Sequence, residues 1–166
     1  ELRSLGVMAT FISASATVNA IDVADNATGT FKVKFNVEAF GGTVYVATSS
    51  SATTDTNPDG ATLLEHLFVV EDGSTATTTL LSDATTYSTG GGGSLTASVG
   101  NVQLTDGEDT TIEITVARTN TTGPDNDGLF RMLISGVGWD DADSFGTYNI
   151  YDFDLDDYKT EYVSLD

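Results

Sequence analysis

Two stretches of the chain alternate strictly between apolar and polar residues. In Phe31-Lys32-Val33-Lys34-Phe35-Asn36-Val37-Glu38 the odd positions are apolar and the even ones polar. Across residues 110–117, Ile112, Ile114 and Val116 fall on one side, opposite Thr111, Glu113 and Thr115. A period of two marks a strand with one buried face, because successive side chains of extended backbone point to opposite sides. Shorter apolar runs at 44–46, 67–70, 79–81, 129–134 and 162–165 read as further strands. Turn formers stand between them: Gly41-Gly42, Asp72-Gly73, Gly90 to Gly93, Asp106-Gly107 and Asp127-Gly128. Beyond residue 25 no stretch carries the 3.6-residue period of an amphipathic helix. Many short strands with frequent turns predict an all-β fold, an antiparallel sandwich or barrel. The glycine run is expected at a hairpin tip, since a phosphate cradle needs a helix N-terminus behind it.

The first twenty residues admit three readings. The segment can be a first strand of its own sandwich. It can be a helical tail, since Leu2, Leu5, Met8 and Ile12 fall at helical spacing. It can also be a strand donated to another subunit: from Ile12 through Ala14, Ala16 and Val18 to Ala20, apolar and polar residues alternate. The last two readings both mean assembly, with Leu5, Met8, Ile12, Ala14, Ala16 and Val18 as subunit contacts. Val18-Asn19-Ala20 also has the small-residue form of an export cleavage site.

Charge changes the picture next. Against 25 Asp and Glu stand only 6 Lys and Arg, a net charge of -19 over 166 residues. So few cations argue against nucleic acid and anionic membrane as partners. Identical copies at this charge repel unless screened or locally complementary. Lys32 and Lys34 share the polar face of one strand, and such a patch suits a neighbour's Asp-rich loop. With no Cys, neither a disulfide framework nor a thiolate metal site exists. The Asn26 and Asn120 sequons, Asn-Ala-Thr and Asn-Thr-Thr, are candidate glycosylation sites of an exported protein.

The acids gather in turn-like clusters, where a short carboxylate suits hard cations. Asp55-Thr56-Asn57-Pro58-Asp59-Gly60 fits the start of a calcium loop, with Asp55, Asn57 and Asp59 as ligands. The twelfth position is His66, a poor calcium ligand, so the likeness stops at six residues. Asp125 and Asp127 form a weaker version in Asp125-Asn126-Asp127-Gly128. Asp152, Asp154 and Asp156 alternate, so an extended backbone places three carboxylates on one side. The cofactor expected is structural Ca2+. No catalytic residue is assigned: His66 is the only His, and there is no Cys and no Gly-x-Ser-x-Gly elbow. Trp139, Phe145, Tyr148, Tyr151, Phe153, Tyr158 and Tyr162 crowd the last third, either as a sandwich cap or as a sugar-binding face.

Residues 31–37 and the run Thr105-Asp106-Gly107-Glu108-Asp109-Thr110-Thr111-Ile112-Glu113-Ile114-Thr115-Val116 resemble paired strands of immunoglobulin-like domains in prokaryotic surface proteins. There an Asp-Gly-Glu turn commonly leads into an alternating strand. The resemblance implies an immunoglobulin-like β-sandwich over 25–166, preceded by an apolar assembly segment at 1–24, with no active site. The expected function is that of a non-catalytic extracellular protein, the repeating subunit of a pilus-like surface filament built from copies of itself. The competing expectation is a monomeric adhesion or carbohydrate-binding module that meets cell-surface glycans.

Overall fold

The computed structural model describes residues 4–19, 27–47, 67–71, 84–91, 94–95, 101–119, 128–134, 136–143, 149–154 and 156–165. They form twelve strands: β1 (Gly6–Asn19), β2 (Thr28–Phe40), β3 (Val44–Ala47), β4 (Leu67–Glu71), β5 (Ala84–Gly91), β6 (Ser94–Leu95), β7 (Asn101–Leu104), β8 (Asp109–Thr119), β9 (Gly128–Ile134), β10 (Gly136–Asp140), β11 (Asn149–Asp152) and β12 (Val163–Leu165). Among the described residues there is no helix. The all-β expectation holds, and every strand pair is antiparallel.

The strands make a four-stranded sheet in the order β1-β2-β8-β5, a five-stranded sheet β11-β10-β3-β7-β6 and a three-stranded sheet β12-β9-β4. The two alternating segments of the sequence lie side by side at the centre of the first sheet. Phe31 pairs with Val116, Val33 with Ile114 and Phe35 with Ile112, which puts both apolar sets on one face. That face is buried against Val44 and Val46 of β3, Val102 and Leu104 of β7, and Phe130, Met132 and Ile134 of β9, in one core cluster. Each such side chain contributes about 1.5–3 kcal/mol on leaving water. The result is sandwich-like, with the polar face of the first sheet turned outward.

The N-terminal segment is a strand and not a helix. β1 pairs with β2 from Gly6 opposite Phe40 to Asn19 opposite Thr28, with an irregularity between Phe11 and Ser13. Ile12 is the extra residue of a β-bulge. Before it the odd residues Val7, Ala9 and Phe11 turn inward; after it the even residues Ala14 and Ala16 do. Leu5, Met8 and Ile12 therefore share no helical face: Leu5 packs on the core, while Met8 and Ile12 are each 48% exposed. Of the glycine run expected at a hairpin tip, Gly92 and Gly93 lie outside the described residues. Gly90 and Gly91 end β5, and the next strand, β6, joins a different sheet.

One end of the sandwich is clasped where two connections cross between sheets. The turn after β7 closes with the Glu108 N–H donating to the Thr105 carbonyl at 2.9 Å. The Gly107 N–H donates to the Ala39 carbonyl, and the Ala39 N–H to the Glu108 carbonyl, both at 2.9 Å. The Asp106 carboxylate accepts from the Gly41 N–H at 2.7 Å, tying this turn to the one between β2 and β3. Glu108 accepts from the Thr105 N–H at 2.8 Å. That backbone bond holds the Glu108 carboxyl below its usual range, so its contribution is present at neutral pH and is lost as acid protonates it.

Candidate assembly surface

The four-stranded sheet carries the candidate subunit contacts Met8, Ile12, Ala14, Ala16, Val18, Lys32 and Lys34, with Leu5 just ahead of its first strand. On its outer face β1 contributes Met8, Thr10, Ser13, Ser15 and Thr17, opposite Glu38, Asn36, Lys34, Lys32 and Thr30 of β2. Lys32 lies 3.9 Å from Glu113 of β8, and Lys34 is in register with the same Glu113. The cations thus have an acidic neighbour within their own sheet, instead of standing as a purely positive patch. Exposed as it is, the Lys32–Glu113 pair is worth about 0–1 kcal/mol. Of the other proposed contacts, Ala14 and Ala16 are partly buried against the core and Val18 is 38% exposed. Phe40, also exposed, lays its ring across Gly6, where an added Cβ would sit 2.6 Å from the ring edge.

Asp152, Asp154 and Asp156 are all exposed, yet they are not brought together as ligands. Among the described residues no group of three or more His, Cys, Asp or Glu is placed to hold a metal. The reason is local: β11 ends at Asp152, and the chain then turns, ending the alternation. Asp154 Oδ1 accepts from the Asp156 N–H at 3.0 Å, and its carbonyl accepts from Asp157 at 3.2 Å. Asp156 meets Lys159 at 3.4 Å. Asp55, Asn57, Asp59, Asp125 and Asp127 lie outside the described residues, as do the sequon residues Asn26 and Asn120 and the lone His66.

This acidic turn folds its aromatic neighbours into the core. Phe153 and Tyr158 stack at 3.9 Å with their planes 14° apart. Phe35 meets both edge-on, at 5.0 and 6.0 Å, and Phe11 of β1 meets Tyr158 at 5.4 Å. The sequence left these rings open between a cap and a sugar platform. The placement is that of a cap for Phe153 and Tyr158, both buried, and for Trp139 and Tyr151, which pack on the core. Tyr162 lies under the Arg131 guanidinium, 4.6 Å from its ring centre. Phe145 and Tyr148 lie outside the described residues.

A neighbouring strand-like stretch was missed by periodicity. The Thr160 N–H donates to the Met132 carbonyl at 2.8 Å, and Thr160 Oγ1 accepts from the Met132 N–H at 3.0 Å. The Ile134 N–H donates to the Tyr158 carbonyl at 2.9 Å. Residues 158–160 thereby continue along β9 beyond β12, and the acidic run just before them, Asp152 to Asp157, hides this from an apolar–polar template.

Burial, with the nearby Tyr151 and Asp157, pushes the Tyr158 phenol above its ordinary value of 10.0. The neutral form is the one the fold prefers, so stability is flat below about pH 10 and falls as pH rises through the raised value. Alkaline melting curves with phenolate absorbance check this. In Tyr158→Phe the alkaline loss should shrink; an unchanged loss assigns it to other groups.

Comparison with protein families, with curated proteins and with solved structures finds no match to this chain, so the reading of its function rests on the geometry above.

Proposed function

We propose that this protein is a non-catalytic structural subunit of the cell exterior, an immunoglobulin-like β-sandwich that polymerises into a surface filament through its N-terminal strand. The observation that carries this reading is β1 itself. It is fourteen residues long, lies at the edge of its sheet, and contains no charged residue in a chain of net charge -19. Long, neutral edges are templates for another chain, and globular proteins usually guard them with charge or proline. The adhesion reading draws less support, because the rings it would use as platforms are largely spent in the core. Calcium at Asp55, Asn57 and Asp59 belongs to the same proposal as a stiffener of the acidic loops.

Negative-stain microscopy of the full chain across a salt series tests it. Filaments should form, and form more readily as salt screens the acidic copies from one another. Monodisperse particles at every concentration and salt would remove the proposal.

A further inference from the structure

We infer that the four-stranded sheet continues from one copy of this chain to the next, the outer edge of β1 pairing antiparallel with the outer edge of β5 in a second copy. This rests on the assembly reading and names the partner surface. Its first support is where the charges lie. β1 and β5 bound the sheet, and neither carries an ionisable acid or base other than Tyr87. The inner strands carry Lys32, Lys34, Glu38, Asp109, Glu113 and Arg118. This inverts the usual guarding of edges, where charge sits outermost. The other sheets guard theirs by brevity: β11, β6, β12 and β4 are five residues or shorter, and β11 and β4 end in Asp152 and Glu71. Two copies of charge -19 can approach most closely where neither presents an acid, and the two long edges are such places.

The backbone supplies the second support. The N–H and C=O of Ala39 go to Glu108 and Gly107, on the β8 side of β2, so they face away from β1. Pairs alternate in an antiparallel ladder, so Val7, opposite Ala39, turns its own N–H and C=O away from β2. Carried through the bulge, the alternation gives the same outward direction to Ala9, Phe11, Ala14, Ala16 and Val18. Among the described residues β2 is the one strand hydrogen-bonded to β1. The outer edge is therefore a regular row of donors and acceptors.

Direction is the third. Three successive antiparallel steps, β1 to β2, β2 to β8 and β8 to β5, leave β5 antiparallel to β1. A copy shifted sideways in the plane of the sheet brings its β5 beside β1 in the same antiparallel sense. The contact joins two different edges, leaving a free β1 at one end and a free β5 at the other, so it propagates. Pairing of β1 with β1 would close at a dimer.

The chain has no Cys, so engineered thiols are the only ones. Ser15→Cys on β1 and Ser88→Cys on β5, joined by a bismaleimide of about 10 Å, should give a ladder of covalent multimers in the double variant. That length reaches across the single spacing of about 5 Å between paired edges but not the three spacings between β1 and β5 of one copy. Each single variant should stay monomeric on a denaturing gel. Dimers from Ser15→Cys alone, with no ladder in the double variant, would overturn the inference in favour of β1–β1 pairing. Ala16→Pro removes an outward N–H while leaving the ladder to β2, so it should raise the concentration needed for assembly at least about tenfold with little change in melting. Ser15→Pro, which removes a bond to β2, should instead lower melting. Filaments that persist unchanged in Ala16→Pro would overturn the edge pairing but leave the filament reading standing, whereas absence of filaments from the parent chain would overturn both.

Discussion

Phe35→Ala is expected to cost about 3–5 kcal/mol, a large part of the roughly 5–15 kcal/mol that separates a folded domain from its unfolded chain. Phe35 is 1% exposed at the middle of β2, between Phe11 of β1 and Ile112 of β8 in register. Its ring meets Phe153 and Tyr158, which the acidic turn holds against it. Hydrogen-bonded strands on both sides prevent the backbone from closing over the lost ring, so most of the cavity persists. The two stacked rings also lose their edge-on partner, worth about 0.5–1.5 kcal/mol per pair beyond burial. Urea unfolding of the variant measures the loss, and near-UV circular dichroism should report loosened tyrosine packing. A change below about 1 kcal/mol would mean that these rings do not form a packed unit.

Phe35 also shows what the sequence made legible. The central strands β2 and β8 were readable because each buries one face without interruption, so their period of two is unbroken. β1 obeys the same physics, yet its inward set moves from Val7, Ala9 and Phe11 to Ala14 and Ala16 across a single extra residue. Without the bulge the two halves look unrelated, and the outward Met8 and Ile12 combine with Leu5 into an accidental helical spacing. The parity switch was the available signal: apolar residues at 5, 7, 9 and 11, then at 14, 16 and 18. The acidic run at 152–157 misled for a different reason. Its role is set by Phe153 and Tyr158, whose stacking depends on a turn that local alternation does not specify. β5 was not legible at all, because Thr, Ser and Gly give no amphipathic contrast. That β1 and β5 are the two edges follows from pairings between residues far apart in sequence, which no local pattern encodes.

The charge of the chain takes its meaning from those pairings. Viewed along the sequence, the acids mark turns on a soluble surface. Placed on the sheet order, they leave two long neutral margins with charged strands between them. In the assembly proposed above, repulsion between copies would work as a filter, opposing random collisions while leaving edge-to-edge approach least penalised. Screening by salt should therefore speed assembly more than it changes the folded state of a single copy.

Gly107→Val is expected to destabilise the fold by about 1–3 kcal/mol, through backbone strain with no clash at the site. Gly107 has φ of 82°, in the left-handed region, and a Cβ built there meets nothing within 4 Å. A β-branched residue is poorly suited to that conformation, so the turn must distort to admit one. Distortion would disturb the bonds that the turn makes to Ala39, along with the Asp106 carboxylate that holds the Gly41 N–H. Since Val7 of β1 is paired with Ala39, hydrogen exchange should quicken first at this end of β1 and β2. Gly107→Asn separates strain from bulk, because Asn tolerates left-handed backbone far better than Val. Urea titration should therefore rank the parent chain above Asn and Asn well above Val. Equal losses for Asn and Val would place the cost in side-chain size, contrary to the open space around Gly107.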